Sequence, residues 1–516
     1  MFTCISSLEV ILKTMIFPFL VLLLIVVLLC LDQWKPTKFI QLHKEIGTSS
    51  KALPFIGHGL MFIGNGEDRI STIQNISEQA YRNKYGMVSF WIAHFSCVAI
   101  CEPESAHFVL RSCLEKGPMT LVFHHIIGNG SIFAPEGIWR ARRKINAVAL
   151  APRHIDKFVR VYARNSQVMA DKLSAYVGQG DVALWDHYCP YILLTACETI
   201  LGNNVNLRPR EFQPFCEAFI SYFDNVITRL CRPWLYNITV YKQLPEATQQ
   251  SLKKKIVWNF INNLIFQKRE LMKKEQSDSS SDEDFKQQDD LKSLLELLIT
   301  QSGYSEAELR EESLVLLLAS IDTTVSVNGF ASVLLSQHPD VQDKVYEEIK
   351  EVFDDLHHTI TIDDLNKLKY LEAVLKETMR LYPTTPLIMR KCLKDVKLPS
   401  GLVLSEGCQV IVNIWGLHRN PKYWGPDADK FRPERFLDAT PEQLSAFIPF
   451  SSGPRNCAGN RIGMISLKTT MVAILRKYRL KPASSFVYDE QKPLRVKHTL
   501  VTKHLDHFHV QLEQRV

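Results

Sequence analysis

Along this chain the apolar positions fall mostly at helical spacing, interrupted by a few short alternating stretches. Ser305-x-x-Glu308 reads as a capping box, and the apolar run behind it predicts one helix through Leu314 to about Gln337. At ~1.5 Å per residue that helix is roughly 45 Å long. Pro339 suits the first turn of another helix (PDVQDKVYEEIKEVF), and Thr361 caps a third predicted to run through Leu381 and stop before Pro383. Strand-like pieces are short, Val88 to Ile100 and Val403 to Ile414. The expected fold class is mainly α with a small β-sheet lobe, and no internal repeat divides it.

The first residues follow a different pattern. Thr14 to Leu31 carry no charge, and eighteen residues at ~1.5 Å each span about 27 Å, the thickness of a bilayer's hydrocarbon core. A cleaved signal peptide is the rival reading, but the run is long for one, and Asp32-Gln33-Trp34-Lys35 follows where small residues would be needed. Residues 1–34 are therefore expected to be a retained N-terminal transmembrane helix, with residues 35–516 forming one catalytic unit. Lys35, Lys38, Lys44 and Lys51 outnumber the upstream Lys13, which puts that unit on the cytoplasmic face. Leu53-Pro54-Phe55-Ile56-Gly57 marks a turn-rich entry to it. Residues 275–290 (EQSDSSSDEDFKQQDD) hold too little apolar content to order themselves and are expected to be a mobile acidic loop. Phe215 to Phe223 reads either as a membrane-facing entrance or as core.

With 46% hydrophobic and 22% charged residues, the chain buries a substantial core and is not disordered. Its net charge of +6 is dispersed, which does not imply nucleic acid and suits an acidic protein partner or an anionic membrane surface. None of its 12 cysteines forms a CxxC pair, so a structural zinc site is not expected. Cys97 and Cys101, in an apolar run, are expected to be buried thiols.

Near the C-terminus, Phe450-Ser451-Ser452-Gly453-Pro454-Arg455-Asn456-Cys457-Ala458-Gly459 fits F-x-x-G-x-R-x-C-x-G without a gap. Gly453 and Pro454 would turn the loop tightly, and backbone N–H groups beyond the turn would hold the Cys457 sulfur as thiolate. Here the chain resembles the cytochrome P450 superfamily. The resemblance implies that Cys457 is the axial iron ligand of haem b, with Phe450 and Arg455 beside it, and that Gly459 lets the next helix approach the porphyrin. Glu377-x-x-Arg380 places two charges on one helix face, and with Arg435 it matches the family's buried Glu-Arg-Arg network beneath the haem. Trp139-x-x-x-Arg143 matches a further motif, and with Arg390 and Arg455 it would cage the two haem propionates. Arg140, Arg142 and Lys144 beside it read as a basic surface helix that could also meet a reductase.

On the long helix, Ala319-Ser320-Ile321-Asp322-Thr323-Thr324 is similar to the family's oxygen-activating stretch. By that resemblance Thr323 would bond the distal oxygen or its water, and Asp322 would help deliver protons. The alternative is that such side chains bond back to preceding carbonyls. Two positions depart from the pattern. Ser320 stands where Gly is usual, which implies a narrower or more polar oxygen groove. Ala319 stands where many animal microsomal fatty-acid hydroxylases, the group this chain resembles most, carry a Glu able to esterify the haem, so no covalent link is expected there.

The resemblance implies a haem sandwiched between the long helix and the Cys457 loop. The implied activity is insertion of one oxygen atom into a lipophilic substrate, whether fatty acid, sterol, terpenoid or foreign compound. No nucleotide-binding glycine fingerprint is present, so electrons from NADPH would arrive through a membrane-bound reductase, with cytochrome b5 a further candidate partner. The expected location is the endoplasmic reticulum membrane. Phe123 to Ile127, Leu316 to Ser320 and Pro386 to Ile388 are the pocket candidates. Two other classes stay open: a haem-thiolate isomerase or dehydratase acting on lipid peroxides, and a non-catalytic haem-binding protein.

Overall fold

The computed structural model describes residues 18–24, 26, 35–48, 51–117, 121–202, 209–278, 293–301, 303–353, 358–484 and 493–515. Most of the expected membrane anchor lies outside them, and its described part, residues 18–24 and 26, is helical with exposed side chains. Among the described residues the one helix long and apolar enough to cross a membrane is the long central one, and it is largely buried in protein.

The helices that position the cavity are α1 (Gly66–Tyr81), α2 (Glu136–Ala149), α3 (Ile155–Leu173), α4 (Leu184–Ile200), α5 (Glu306–Gln337), α6 (Pro339–Val352), α7 (Lys369–Leu381) and α8 (Asn460–Leu475). The predicted capping box of α5 is present: the Ser305 hydroxyl accepts from the Glu308 N–H, and the Glu308 carboxylate accepts from the Ser305 N–H at 3.0 Å. Asn65 and Asp68 cap α1 in the same reciprocal way. From Leu309 to Ser336 almost every side chain of α5 is buried, because α4, α8 and α7 pack around it and leave no solvent face.

The helix expected from Thr361 to Leu381 is two. Thr361 caps a six-residue turn that ends at Lys367, and Leu368 leaves helical geometry at ψ 83°. The Glu348 carboxylate, reaching over from α6, accepts the N–H groups of Tyr370 and Leu371 at 2.6 and 2.9 Å. Those bonds give α7 its own start.

The main strands are β1 (Met87–Ile92), β2 (Phe95–Ile100), β3 (Asp181–Ala183), β4 (Leu387–Lys391), β5 (Gln409–Asn413), β6 (Tyr478–Pro482), β7 (Val496–His498), β8 (Thr502–His504) and β9 (His509–Gln514). The strand-like piece expected at Val403 to Ile414 is split, since Val403–Leu404 pairs separately with Val396–Lys397 and β5 follows it. The single strand-like piece expected at Val88 to Ile100 is a hairpin, turned at Ala93 with φ 50°. Its strands join β5 and then β4, which completes a four-stranded lobe in the order β1-β2-β5-β4. A second sheet runs β3-β9-β6, and β7 pairs with β8. Just before β9, Phe508 is fully buried against α5 at Gly329, where a Cβ would stand 2.5 Å from the ring. Only glycine admits that close approach.

One segment differs in part from its sequence reading, and a second takes one of its two alternatives. Helix Pro245–Asp278 runs into the first residues of the expected 275–290 loop, and the rest of that loop lies outside the described residues. Phe215, Phe219 and Phe223 are core: Phe215 stacks on Phe260 at 3.7 Å between ring centres, so the entrance reading of this segment falls. Cys97 and Cys101 are buried free thiols, as expected.

Candidate active site

A cavity of about 530 Å³ lies between α5 and the loop that leads into α8. Phe450, Arg455 and Cys457 line it from the loop; Leu316, Ala319, Ser320, Asp322 and Thr323 line it from α5. Of the other pocket candidates, Phe123 and Pro386 to Ile388 are in the lining, while Ile126 and Ile127 are buried in the core instead.

The loop is built as its residue types require. Gly453 takes φ 73°, and a Cβ there would meet the Leu110 carbonyl oxygen at 2.5 Å. The Asn456 N–H closes the turn on the Gly453 carbonyl at 3.1 Å, and the Cys457 N–H donates to the Phe450 carbonyl at 2.9 Å. Cys457 lies deep in the protein yet is exposed to the cavity. Burial pushes its thiol above the ordinary range, while the Gly459 N–H and the Arg143 guanidinium pull the other way. A metal cation at the sulfur would reverse that balance outright.

Beneath the loop, Glu377, Arg380 and Arg435 are buried together. The Glu377 carboxylate accepts from Arg380 Nε at 2.7 Å and Nη2 at 2.8 Å and from the Arg432 N–H at 2.9 Å, with Arg435 Nε 3.4 Å away. Arg380 Nη1 also donates to the carbonyls of His418 and Ala428 at 2.8 and 2.5 Å. His418 receives the Ile448 N–H on Nε2 at 3.0 Å, so its proton sits on Nδ1, facing the Met379 carbonyl. Burial, reinforced by Arg380, holds this imidazole neutral, with its pKa pushed down to about 3.

Trp139, Arg143, Arg390 and Arg455 all line the cavity, joined by Lys116, which the sequence reading missed. Arg143 donates to the Asn456 carbonyl at 3.0 Å and to its side-chain oxygen at 2.8 Å, tying α2 to the cysteine loop. Arg455 donates to the carbonyls of Leu114 and Ala134 at 2.6 and 2.8 Å and lies over the Trp139 ring. Burial and then mutual repulsion depress the pKa of Arg390 to about 10, and Arg390 Nε is buried with no hydrogen-bond partner. Lys116 is held well below its usual range by burial and by Arg390 and Arg455. None of these four cations is in an ion pair among the described residues. Clustered cations in a dry site require anions, and two propionates meet that requirement. Where a Cβ would stand on Gly459, nothing lies within 4 Å, which leaves room for a flat ring at the sulfur. These residues fit haem.

Arg142, expected on the surface, is buried. Its Nη1 meets the buried Glu312 of α5 at 3.1 Å, and Glu312 also accepts from Asn146 at 2.9 Å and from the Ser131 N–H at 2.9 Å. Arg140 and Lys144 are the exposed pair of that basic helix. Helical spacing separates them: Arg142 falls on the face turned to α5.

On α5 the back-bonding reading of the Asp-Thr pair applies to Thr323 alone. The Thr323 hydroxyl lines the cavity and donates back to the Ala319 carbonyl at 2.7 Å, as Ser320 does to Leu316 at 2.7 Å. Asp322 does not meet Thr323. Its carboxylate is buried and pairs at 3.1 Å with Lys503 of β8, which nothing in the sequence pattern singles out. Arg69 of α1 is another cavity residue without a sequence signal. It is buried, and its Nε and Nη1 donate to the carbonyls of His498 and Gly64 at 3.1 and 2.9 Å.

Comparison with known proteins agrees with this geometry. The family model described as Cytochrome P450 matches residues 49–505. "Cytochrome P450 4d2" of Drosophila melanogaster is 29% identical over 446 residues, covering 84% of this chain and 88% of its own. "Cytochrome P450 4V2" of Mus musculus is 28% identical over 448 residues, 85% of each chain. "Cytochrome P450 4c21" of Blattella germanica is 28% identical over 443 residues, 83% of this chain and 86% of its own.

Proposed function

The chain belongs to the cytochrome P450 family of haem-thiolate monooxygenases, and we propose that it oxidises a lipid carrying an anionic head group, using electrons delivered from NADPH by a membrane-bound reductase. The haem, when bound, supplies the activation of dioxygen that no side chain can perform. The observation that supports the reading is the meeting, in one cavity, of Cys457, four cations without an ion pair among the described residues, and the Asp322–Thr323 step of α5.

Cys457 would hold the iron, and Lys116, Arg143, Arg390 and Arg455, with Trp139, would hold the propionates. Phe123, Leu316, Ile388 and Leu500 line the remaining space, exclude water and pack the substrate's hydrocarbon. Thr323 keeps a hydroxyl at the helix wall, and the adjacent Asp322, which also lines the cavity, is the acid assigned to restoring a proton to it. The exposed Arg140 and Lys144, on the helix tied to the cysteine loop by Arg143, give an acidic reductase or cytochrome b5 a place to dock. The N-terminal apolar run supports a seat in the endoplasmic reticulum membrane, and the lysines that follow it support the cytoplasmic face for this unit.

The head group follows from Arg69. It is the one cavity-lining arginine away from the propionate cage, and among the described residues no carboxylate lies within ion-pair distance of it. A buried cation is costly until an anion joins it. A substrate carboxylate at Arg69 would do so and leave the hydrocarbon to run along the apolar lining.

Two measurements test the reading. Reduced, CO-bound enzyme is expected to show the thiolate-type Soret band and Cys457→Ala to lack it; an unchanged spectrum in the variant would overturn the assignment. In titrations of the low-spin to high-spin shift, a long-chain fatty acid is expected to bind at least about ten-fold more tightly than its methyl ester, a preference lost in Arg69→Gln. An equal preference in the variant removes the head-group assignment and leaves the reaction class standing.

A further inference from the structure

Asp322 and Thr323 are consecutive on α5, so their side chains leave the helix about 100° apart. Thr323 turns to the cavity and bonds back to Ala319; Asp322, which also borders the cavity, is held on the flank where α4 and β8 pack against α5. There it meets, among the described residues, a single cation, Lys503 Nζ at 3.1 Å, and both side chains are about nine-tenths buried. Lys503 also lies over the Trp185 ring of α4, 4.7 Å from its centre.

The lysine's own position is fixed by the cavity wall. It follows Thr502, whose N–H donates to the Thr384 carbonyl at 2.9 Å, and Thr384, Leu500 and Val501 all line the cavity. A buried carboxylate with one charged partner points where that partner puts it. We propose that Lys503 is a positioning residue for proton delivery: it sets the orientation of the Asp322 carboxylate relative to the Thr323 hydroxyl. This rests on the monooxygenase reading above. Lys503 touches neither substrate nor cofactor, and it acts through Asp322. Beyond the pair, the Trp185 ring stands 6.4 Å between ring centres from the exposed His507, in the turn between β8 and β9.

The experiment uses full-length, haem-loaded enzyme with its reductase. Lys503→Met is expected to lower product formed per NADPH about ten-fold and to enlarge the solvent isotope effect on product formation. The spin-shift affinity for substrate should stay at the wild-type value, and Lys503→Arg should recover most of the coupling. A readout independent of turnover is the thermal midpoint of Lys503→Met, Asp322→Asn and the double variant. Each single change is expected to lower it, and the double to recover part of the loss, because no charge is left stranded.

If Lys503→Met keeps wild-type coupling and isotope effect, or if the two midpoint losses simply add, the inference is wrong. Should Lys503→Met not fold, the double variant is compared with Asp322→Asn: equal coupling is expected, and a further fall in the double overturns action through Asp322. Thr323→Ala separates the two levels. If it leaves coupling untouched, the role given to the Asp-Thr step fails; if it uncouples while Lys503→Met does not, only the lysine's role fails.

Discussion

The two walls of the cavity are built by opposite means. On the thiolate side, Glu377, Arg380, Arg435 and His418 are buried among many mutual bonds, so each group has several partners. On the α5 side, Ser320 and Thr323 bond only to their own helix, and Asp322 depends on one lysine. Redundant bonding makes the first wall a fixed platform, and sparse bonding leaves the second wall adjustable. On the proposed function, the fixed platform would carry the metal ligand and the adjustable side the groups that hold and pass protons.

The contrast yields graded expectations. Glu377→Ala strands two buried guanidinium groups and should cost about 3–5 kcal/mol, which chemical denaturation would measure as a large fall in midpoint or a failure to accumulate folded protein. An effect under about 1 kcal/mol would mean that the platform is less integrated than its bonds suggest. Glu312→Gln keeps shape but removes the charge facing Arg142, and about 2 kcal/mol of destabilisation is expected in the same assay. Glu312 sits on α5 but is bonded like the platform, so this variant asks whether bonding or location sets the cost. The smallest change is Ser320→Gly. It frees the Leu316 carbonyl and should cost about half a kcal/mol, with a measurable gain in CO association rate as the groove widens. No change in that rate would show that Ser320 does not narrow the oxygen site.

The platform was legible in the chain because its parts sit at fixed local spacings. Gly453, Arg455 and Cys457 share one loop, and Glu377 and Arg380 share one helix turn. The capping box at Ser305 and the proline at 339 marked their helices for the same reason. What the pattern hid was contact between distant segments. Lys503 meets Asp322 across 181 residues of chain, and Lys116, Arg69 and Glu312 carry no motif of their own. Arg142 read as surface because a basic run looks alike whichever residue faces inward; only the packing of α2 against α5 decides. The break at Leu368 was hidden too, since Glu348, which caps the second helix, comes from another element.

The notch at Gly329 that receives Phe508 has a bearing on how the molecule comes into being. Its plug lies 179 residues further along the chain, so it leaves the ribosome long after the helix it completes. Until that ring arrives, the central helix α5 has an unfilled flank at Gly329. Nascent chains stalled before Phe508 should therefore be loose and protease-sensitive, and cofactor capture should await its arrival.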